Sequence, residues 1–124
     1  MADPRYKKLA EVLTGYSTVL KKGDTVLFDV TDTPEAFAVE LVRAARRRGA
    51  IPLVETRSGR VGREMLMNTS EQHAKTVRDI ELNRMKKCDA YVAVRGSHNA
   101  TENSDIPSNN LSMYSRTLRP VLNY

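Results

Sequence analysis

The sequence predicts an α/β fold, a small three-layer α/β/α domain built on a mainly parallel sheet of at least three strands and open at one edge. Three apolar runs, at residues 26–28, 51–54 and 90–94, each follow a helix-like stretch and predict buried strands. The third run is apolar at consecutive positions, which is typical of parallel strands that have helices on both faces. Right-handed crossovers then favour the strand order 2-1-3.

The first helix is predicted to begin at Asp3 and Pro4, which form an N-cap and first-turn pair. One apolar face follows at the spacing i, i+3, i+4 and i+7, and it consists of Leu9, Val12, Leu13 and Tyr16. Charged residues and a glycine at positions 21–24 end this element with a turn. The β-branched and aromatic residues 25–30 predict the first strand.

The second helix is predicted to begin near Pro34, after the cap oxygens of residues 31–33. Its apolar face comprises Phe37, Ala38, Leu41, Val42 and Ala45, and Gly49 ends it. The second strand, residues 51–54, contains Pro52, which cannot donate to the hydrogen-bond ladder. We therefore place this strand at the sheet edge.

The second half of the chain gives weaker signals. The polar, glycine-punctuated residues 56–61 predict a loop, and the cap-like residues 69–72 predict a helix that reaches residue 87, with Val77, Ile80 and Met85 on one side. Residues 89–95 are the third strand, and residues 96–110 are a long polar loop. A short helix over residues 111–118 ends at Arg119 and Pro120.

Length and composition indicate one folded domain over residues 1–124, with 40% hydrophobic and 28% charged residues. The single cysteine, Cys88, and the absence of an apolar signal core favour a cytoplasmic location, and no apolar run is long enough to span a membrane. The net charge of +5 allows an anionic partner. However, Arg43 and the arginines 46–48 precede Gly49, and a solvated helix end is favoured over a phosphate-binding patch. Nucleic acid is therefore not the expected partner.

A ligand crevice in this topology would lie between the carboxyl ends of the first and third strands. The candidate lining residues are Asp29, Thr31, Asp32, Thr33, Arg57, Gly96, Ser97, His98 and Asn99. The turn after the first strand has no glycine, and its aspartates would repel a phosphate. We therefore do not expect a nucleotide site.

Metal-ion and nucleophilic chemistry also receive little support from the crevice residues. His98 could converge with Asp29 and Asp32 on a divalent cation, but their spacing does not support this independently. Ser97 and His98 are sequence neighbours, and adjacent residues seldom point at each other as a nucleophile and its base must. We predict no catalytic residue and no metal ligand in this chain, and interpret the aspartates as helix caps.

An ordered set of short motifs along the whole chain resembles the N-terminal domain of the thermophilic-type metallo-aminopeptidases, the aminopeptidase T and aminopeptidase S family. The motifs are Asp3-Pro4-Arg5, Lys8-Leu9-Ala10, Tyr16-Ser17, residues 22–27, residues 49–54, residues 88–92 and residues 119–122. No single motif is specific, and the resemblance depends on their order.

The resemblance implies a parent hydrolase that releases N-terminal amino acids from peptides, with divalent metals such as zinc or cobalt activating water and polarising the scissile carbonyl. The family's metal ligands belong to a later C-terminal domain, and their motifs do not occur in this sequence. The resemblance thus implies a noncatalytic N-terminal domain, inactive alone, whose partners are the C-terminal catalytic domain, a peptide substrate and a second copy of the chain.

Two other functions stay open on the sequence alone. One is a free-standing module that binds an anion or nucleic acid, suggested by Arg57, Arg60 and Arg63 near a strand end. The other is a structural or oligomerisation module. In the family interpretation, one sheet edge and some apolar helix surface would be exposed in the isolated piece, and we expect it to self-associate.

Overall fold

The computed structural model describes residues 3–96 and 106–122. In chain order its elements are α1 (Pro4–Val12), a π-helical turn (Leu13–Ser17), β1 (Thr25–Thr31), α2 (Glu35–Arg47), β2 (Ile51–Arg57), α3 (Gly59–Met67), α4 (Glu71–Lys86), β3 (Ala90–Arg95) and α5 (Ser108–Leu122). The predicted α/β class is confirmed, as is the alternation of helices and strands up to β2.

The three strands form an open parallel sheet in the order β2-β1-β3, which confirms the predicted order 2-1-3. Pro52 lies on an edge strand, as predicted. The Ile51 N–H donates to the Asp24 carbonyl at 2.7 Å, and the Arg57 carbonyl accepts from the Asp32 N–H at 3.0 Å. Because backbone groups alternate in direction along a strand, Pro52 faces away from β1 and its missing N–H costs no ladder bond.

Contacts between residues divide the chain into two compact units. The first contains residues 3–57 and 88–96 of the described chain, and its core lies between the sheet and the helices α1 and α2. Val26, Phe28 and Val30 project from β1 into this core, where Leu41 of α2 is fully buried. The prediction of a single domain over residues 1–124 stays a prediction.

Helix α2 ends in a glycine motif that the sequence predicted. Gly49 has a φ of +77°, a conformation that side chains other than glycine seldom adopt. The Gly49 N–H donates to the Arg46 carbonyl and the Ala50 N–H donates to the Ala45 carbonyl, both at 3.0 Å. These bonds satisfy carbonyls that would otherwise have no partner within the helix.

Helix α1 begins as predicted but buries a different face. The Asp3 carboxylate accepts from the Arg5 N–H at 2.9 Å and from its guanidinium, and the guanidinium hydrogen bond followed by the backbone one lowers the pKa of Asp3. The predicted inward residues Leu9, Val12 and Tyr16 are 47%, 45% and 83% exposed.

The face that packs against the core carries Tyr6 and Ala10 of α1 instead, and of the predicted residues Leu13, at the start of the π-helical turn, packs there as expected. Ala10 is completely buried, and the Tyr6 ring lies 5.7 Å from the Phe37 ring, centroid to centroid. The small Ala10 side chain allows α1 to pack close to α2, and the π-helical turn after Val12 rotates the following residues relative to a continuous α-helix. Apolar spacing alone therefore selected Leu13 correctly, but it missed Tyr6 and Ala10 and assigned three exposed residues to the core.

The second unit contains α3, α4 and α5. The loop prediction for residues 56–61 is wrong, since β2 extends to Arg57 and α3 begins at Gly59. The Ser58 hydroxyl caps α3 by accepting from the Val61 N–H at 3.4 Å. Ser70 caps α4 in the same way, because its hydroxyl accepts from the His73 backbone N–H at 3.1 Å. Ser70 is one of the predicted cap residues 69–72.

Helix α5 is longer than predicted at both ends. It runs through Pro120, and only Val121 and Leu122 follow that residue in the helix, so the backbone donor that proline lacks is lost in the last turn. Its first turn holds Asn110, whose side-chain amide donates to the Leu66 and Met67 carbonyls at 3.4 and 3.0 Å. Asn110 thereby satisfies the carboxyl end of α3.

The predicted loop over residues 96–110 lies mostly outside the described residues, apart from Gly96 and residues 106–110. None of the helices in the described part of the chain combines the length and the apolar character that crossing a membrane requires.

Candidate functional site

The carboxyl ends of the three strands meet at one side of the sheet, where the sequence predicted a crevice. Thr31, the last residue of β1, pairs in register with Arg57 of β2 and with Arg95 of β3. Thr31, Arg57 and Gly96 are thus brought together at this edge of the sheet. The turn that follows Thr31 determines how much space remains between the ends of β1 and β3.

Backbone atoms fill the space between the ends of β1 and β3. Asp32 has a φ of +55°, and its N–H donates to the Arg57 carbonyl at 3.0 Å. On the other side, the Gly96 N–H donates to the Thr31 carbonyl at 2.7 Å. A methyl group on Gly96 would overlap the Asp32 carbonyl oxygen, so only glycine permits this approach. In the described residues, this part of the crevice is occupied by the turn itself.

Asp29 lies in β1, two residues before Thr31. Its side chain is on the sheet face opposite the one that carries the core residues Phe28 and Val30. Its carboxylate accepts two short hydrogen bonds, at 2.7 Å from Arg57 Nε and at 2.7 Å from the Tyr91 hydroxyl. The Asp29 side chain is 15% exposed, whereas the Arg57 side chain is 36% exposed. Both carboxylate oxygens are therefore engaged by neighbouring strands, and Asp29 joins β2 and β3 through side chains.

The remaining predicted lining residues do not complete a reactive set. The Thr33 hydroxyl oxygen is buried, and no hydrogen-bond partner for it occurs among the described residues. Ser97, His98 and Asn99 lie outside the described residues, so their predicted place in the crevice stays a prediction.

Metal-ligating side chains do not cluster in residues 3–96 and 106–122: no three His, Cys, Asp or Glu side chains there are placed to hold an ion. Asp29 is bonded to a guanidinium and a phenol, as described above. His73 lies in the other unit, where its Nδ1 is 2.8 Å from the Thr69 hydroxyl. The described residues therefore do not fit a divalent metal.

Tyr91 is the residue that sequence reasoning missed, because the run of residues 90–94 predicts a strand buried on both faces. In the structure Tyr91 is 43% exposed, and its neighbour Val92 is buried. The register pairs Leu27 with Tyr91 and Asp29 with Ala93, so these residues share one face of the sheet. The alternation of Asp29 with Phe28 and Val30 was the signal that this face is not wholly apolar.

The chain matches the sequence profile of a protein family, and its structure is similar to solved structures. The sequence profile of the thermophilic metalloprotease family (M29) matches residues 2–124. The structure is similar to that of wild-type AmpT from Thermus thermophilus, with a TM-score of 0.71 and 21% sequence identity. The similarity covers 94% of this chain and 32% of that one, so the chain spans about a third of the Thermus protein. No curated protein matches the chain.

Proposed function

Because the chain belongs to the thermophilic metalloprotease (M29) family, we propose that it forms the noncatalytic N-terminal α/β domain of a metal-dependent aminopeptidase. The complete enzyme would be a hydrolase that releases N-terminal amino acids from peptides. The observation that carries this proposal is the family match over residues 2–124, in a chain that spans 32% of the Thermus protein with a similar fold.

The described residues support a scaffolding role for this part of the enzyme. The turn after β1 packs its backbone against Gly96, and the Asp29 carboxylate is bonded to Arg57 and Tyr91. These contacts hold the strands together, and they occupy the polar groups that would otherwise bind a substrate. We therefore place the divalent metal, zinc or cobalt, in a C-terminal catalytic domain.

We further propose that the enzyme is cytoplasmic and acts as a homo-oligomer, with the C-terminal domain as the principal partner of this one. The exposed apolar residues of α1 support an assembly role, because large apolar side chains clustered at a surface favour contact with another protein surface.

An activity assay on the 124-residue chain tests the proposal. With leucine p-nitroanilide as substrate and zinc or cobalt added, we expect hydrolysis no faster than in buffer with the same metal. After dialysis, elemental analysis should find less than one metal ion per chain. A longer chain that carries the C-terminal domain is the positive control. Metal-dependent turnover by the 124-residue chain itself would show that the proposed division of roles is wrong.

A further inference from the structure

A basic groove lies in the first unit at the amino ends of β1 and β2, the strand ends opposite those that carry the predicted crevice residues. We define the basic groove by Lys21, Lys22, Arg47 and Arg48, all of which are exposed. Thr14, Leu20 and Ala44 line it as well and are 1%, 4% and 2% exposed, so they form a buried floor. Glu11 is the only acidic residue among the described lining residues.

Two glycines fix the positions of two of these cations. A methyl group on Gly15 would overlap the guanidinium of Arg48 and would lie 3.0 Å from its Cζ atom, so Arg48 rests directly on the backbone of the π-helical turn. A methyl group on Gly49 would lie 3.1 Å from Cγ of Lys22. The Arg48 guanidinium and the Lys22 stem therefore each lie against backbone, which lowers the entropy that these side chains would lose on binding a ligand.

The charge of the groove is not balanced by its own residues. Glu11 pairs with Arg47 at 3.1 Å, and four cations against this one carboxylate leave a formal charge of +3. The carboxyl end of α2 does not need the arginine side chains as caps, because the Gly49 and Ala50 N–H groups satisfy the Arg46 and Ala45 carbonyls. Capping of α2 therefore does not require the side chains of Lys22 or Arg48.

We propose that the basic groove binds a polyphosphate chain, either free or as part of a nucleotide. Guanidinium and ammonium groups are the side chains that phosphate oxygens prefer, and a ligand with several negative charges can contact cations from both walls at once. This site is independent of the aminopeptidase proposal, since no groove residue belongs to the strand ends at the crevice.

Calorimetric titration of the 124-residue chain with sodium tripolyphosphate at low ionic strength tests the site. We expect saturable binding that Lys22→Gln and Arg48→Gln each weaken roughly tenfold, the effect of losing one charge-assisted hydrogen bond. Arg46→Gln is the matched control, since Arg46 is an exposed neighbour on the same helix and does not line the groove. It should change the affinity less than about twofold.

A further variant separates the groove from general surface charge. Gly15→Ala displaces the Arg48 guanidinium without changing the net charge, and we expect it to weaken tripolyphosphate binding several-fold, with circular dichroism showing that the chain is folded. ATP should bind with the same dependence on Lys22 and Arg48. The proposal is overturned if the unmodified chain does not bind tripolyphosphate, or if Arg46→Gln weakens binding as much as Arg48→Gln.

Discussion

Asp29 illustrates how an acidic residue near a strand end can serve the fold. Both of its carboxylate oxygens accept short hydrogen bonds, one from β2 through Arg57 and one from β3 through Tyr91. The side chain is largely withdrawn from water, so its hydrogen bonds compete with solvent less than those of an exposed ion pair. The contribution of Asp29 to the sheet should therefore be measurable.

We expect Asp29→Ala to lower the free energy of unfolding by about 2 kcal/mol, because it leaves two donors without this acceptor. Tyr91→Phe removes one hydrogen bond and should cost about 1 kcal/mol. Urea unfolding followed by circular dichroism measures both. Asp79→Ala is the control, since Asp79 pairs with Arg78 but its side chain is 70% exposed. A loss no greater than that of the control would show that the Asp29 contacts contribute little.

Gly96 is required by the close approach of the backbone after β1. In Gly96→Ala the new methyl group would overlap the Asp32 carbonyl, and the turn or the end of β3 would have to move. We expect a loss of about 2 kcal/mol in unfolding free energy, comparable with other overpacked sites. Gly62→Ala is the matched control: no atom lies within 4 Å of the new methyl, and alanine favours the helix α3. If both variants unfold at the same urea concentration, the predicted overlap is relieved without cost.

At the scale of elements, the sequence predicted best where one signal dominated. Gly49 ended α2 because its conformation excludes other residues, and Pro52 marked the sheet edge because it has no N–H. The face of α1 was harder, since Leu9 and Val12 show helical spacing as well as Tyr6 and Ala10 do. Tertiary packing against α2 selects the stripe with the small residue, and no local pattern contains that information.

Helix α3 was missed for a related reason. Considered from the sequence alone, Gly59 and Gly62 favour turns, and three arginines in the same stretch indicate a solvent-exposed segment. The helix has support that local propensity does not include, because the Ser58 hydroxyl caps its start and the Asn110 side chain satisfies its end from a distant part of the chain. For the candidate site, the sequence placed Asp29 and Arg57 at neighbouring strand ends but not the Tyr91 hydrogen bond, which depends on strand register.

The Asn110 cap makes a prediction about α3. Asn110→Ala leaves the Leu66 and Met67 carbonyls without the side-chain donor, and we expect it to destabilise α3 by about 1 kcal/mol. Amide hydrogen exchange should then become roughly fivefold faster in the last turn of α3. Asn83→Ala, at an exposed position of α4, provides the comparison. Equal exchange rates in the two variants would show that the Asn110 side chain does not stabilise the end of α3.

At the scale of the whole molecule, the topology and the family assignment give complementary information. The order β2-β1-β3 defines where an open parallel sheet usually binds its ligand, and in the described residues the Asp32 turn and Gly96 occupy that place. The chain belongs to the thermophilic metalloprotease (M29) family, and the aminopeptidase activity of a complete enzyme is our proposal. The exposed apolar surface of Leu9, Val12 and Tyr16 does not contribute to the core of the fold.

That surface predicts self-association of the 124-residue chain. Leu9 and Val12 form an exposed apolar stripe on α1, and Tyr16 of the following π-helical turn is exposed as well. Their burial in a contact between two copies would remove apolar area from water. We expect light scattering to show a mass that rises with concentration. The double variant Leu9→Lys and Val12→Lys should stay monomeric, whereas Val61→Lys, at a residue 60% exposed on α3, should associate like the unmodified chain. A concentration-independent monomer of the unmodified chain would exclude the stripe as an assembly surface.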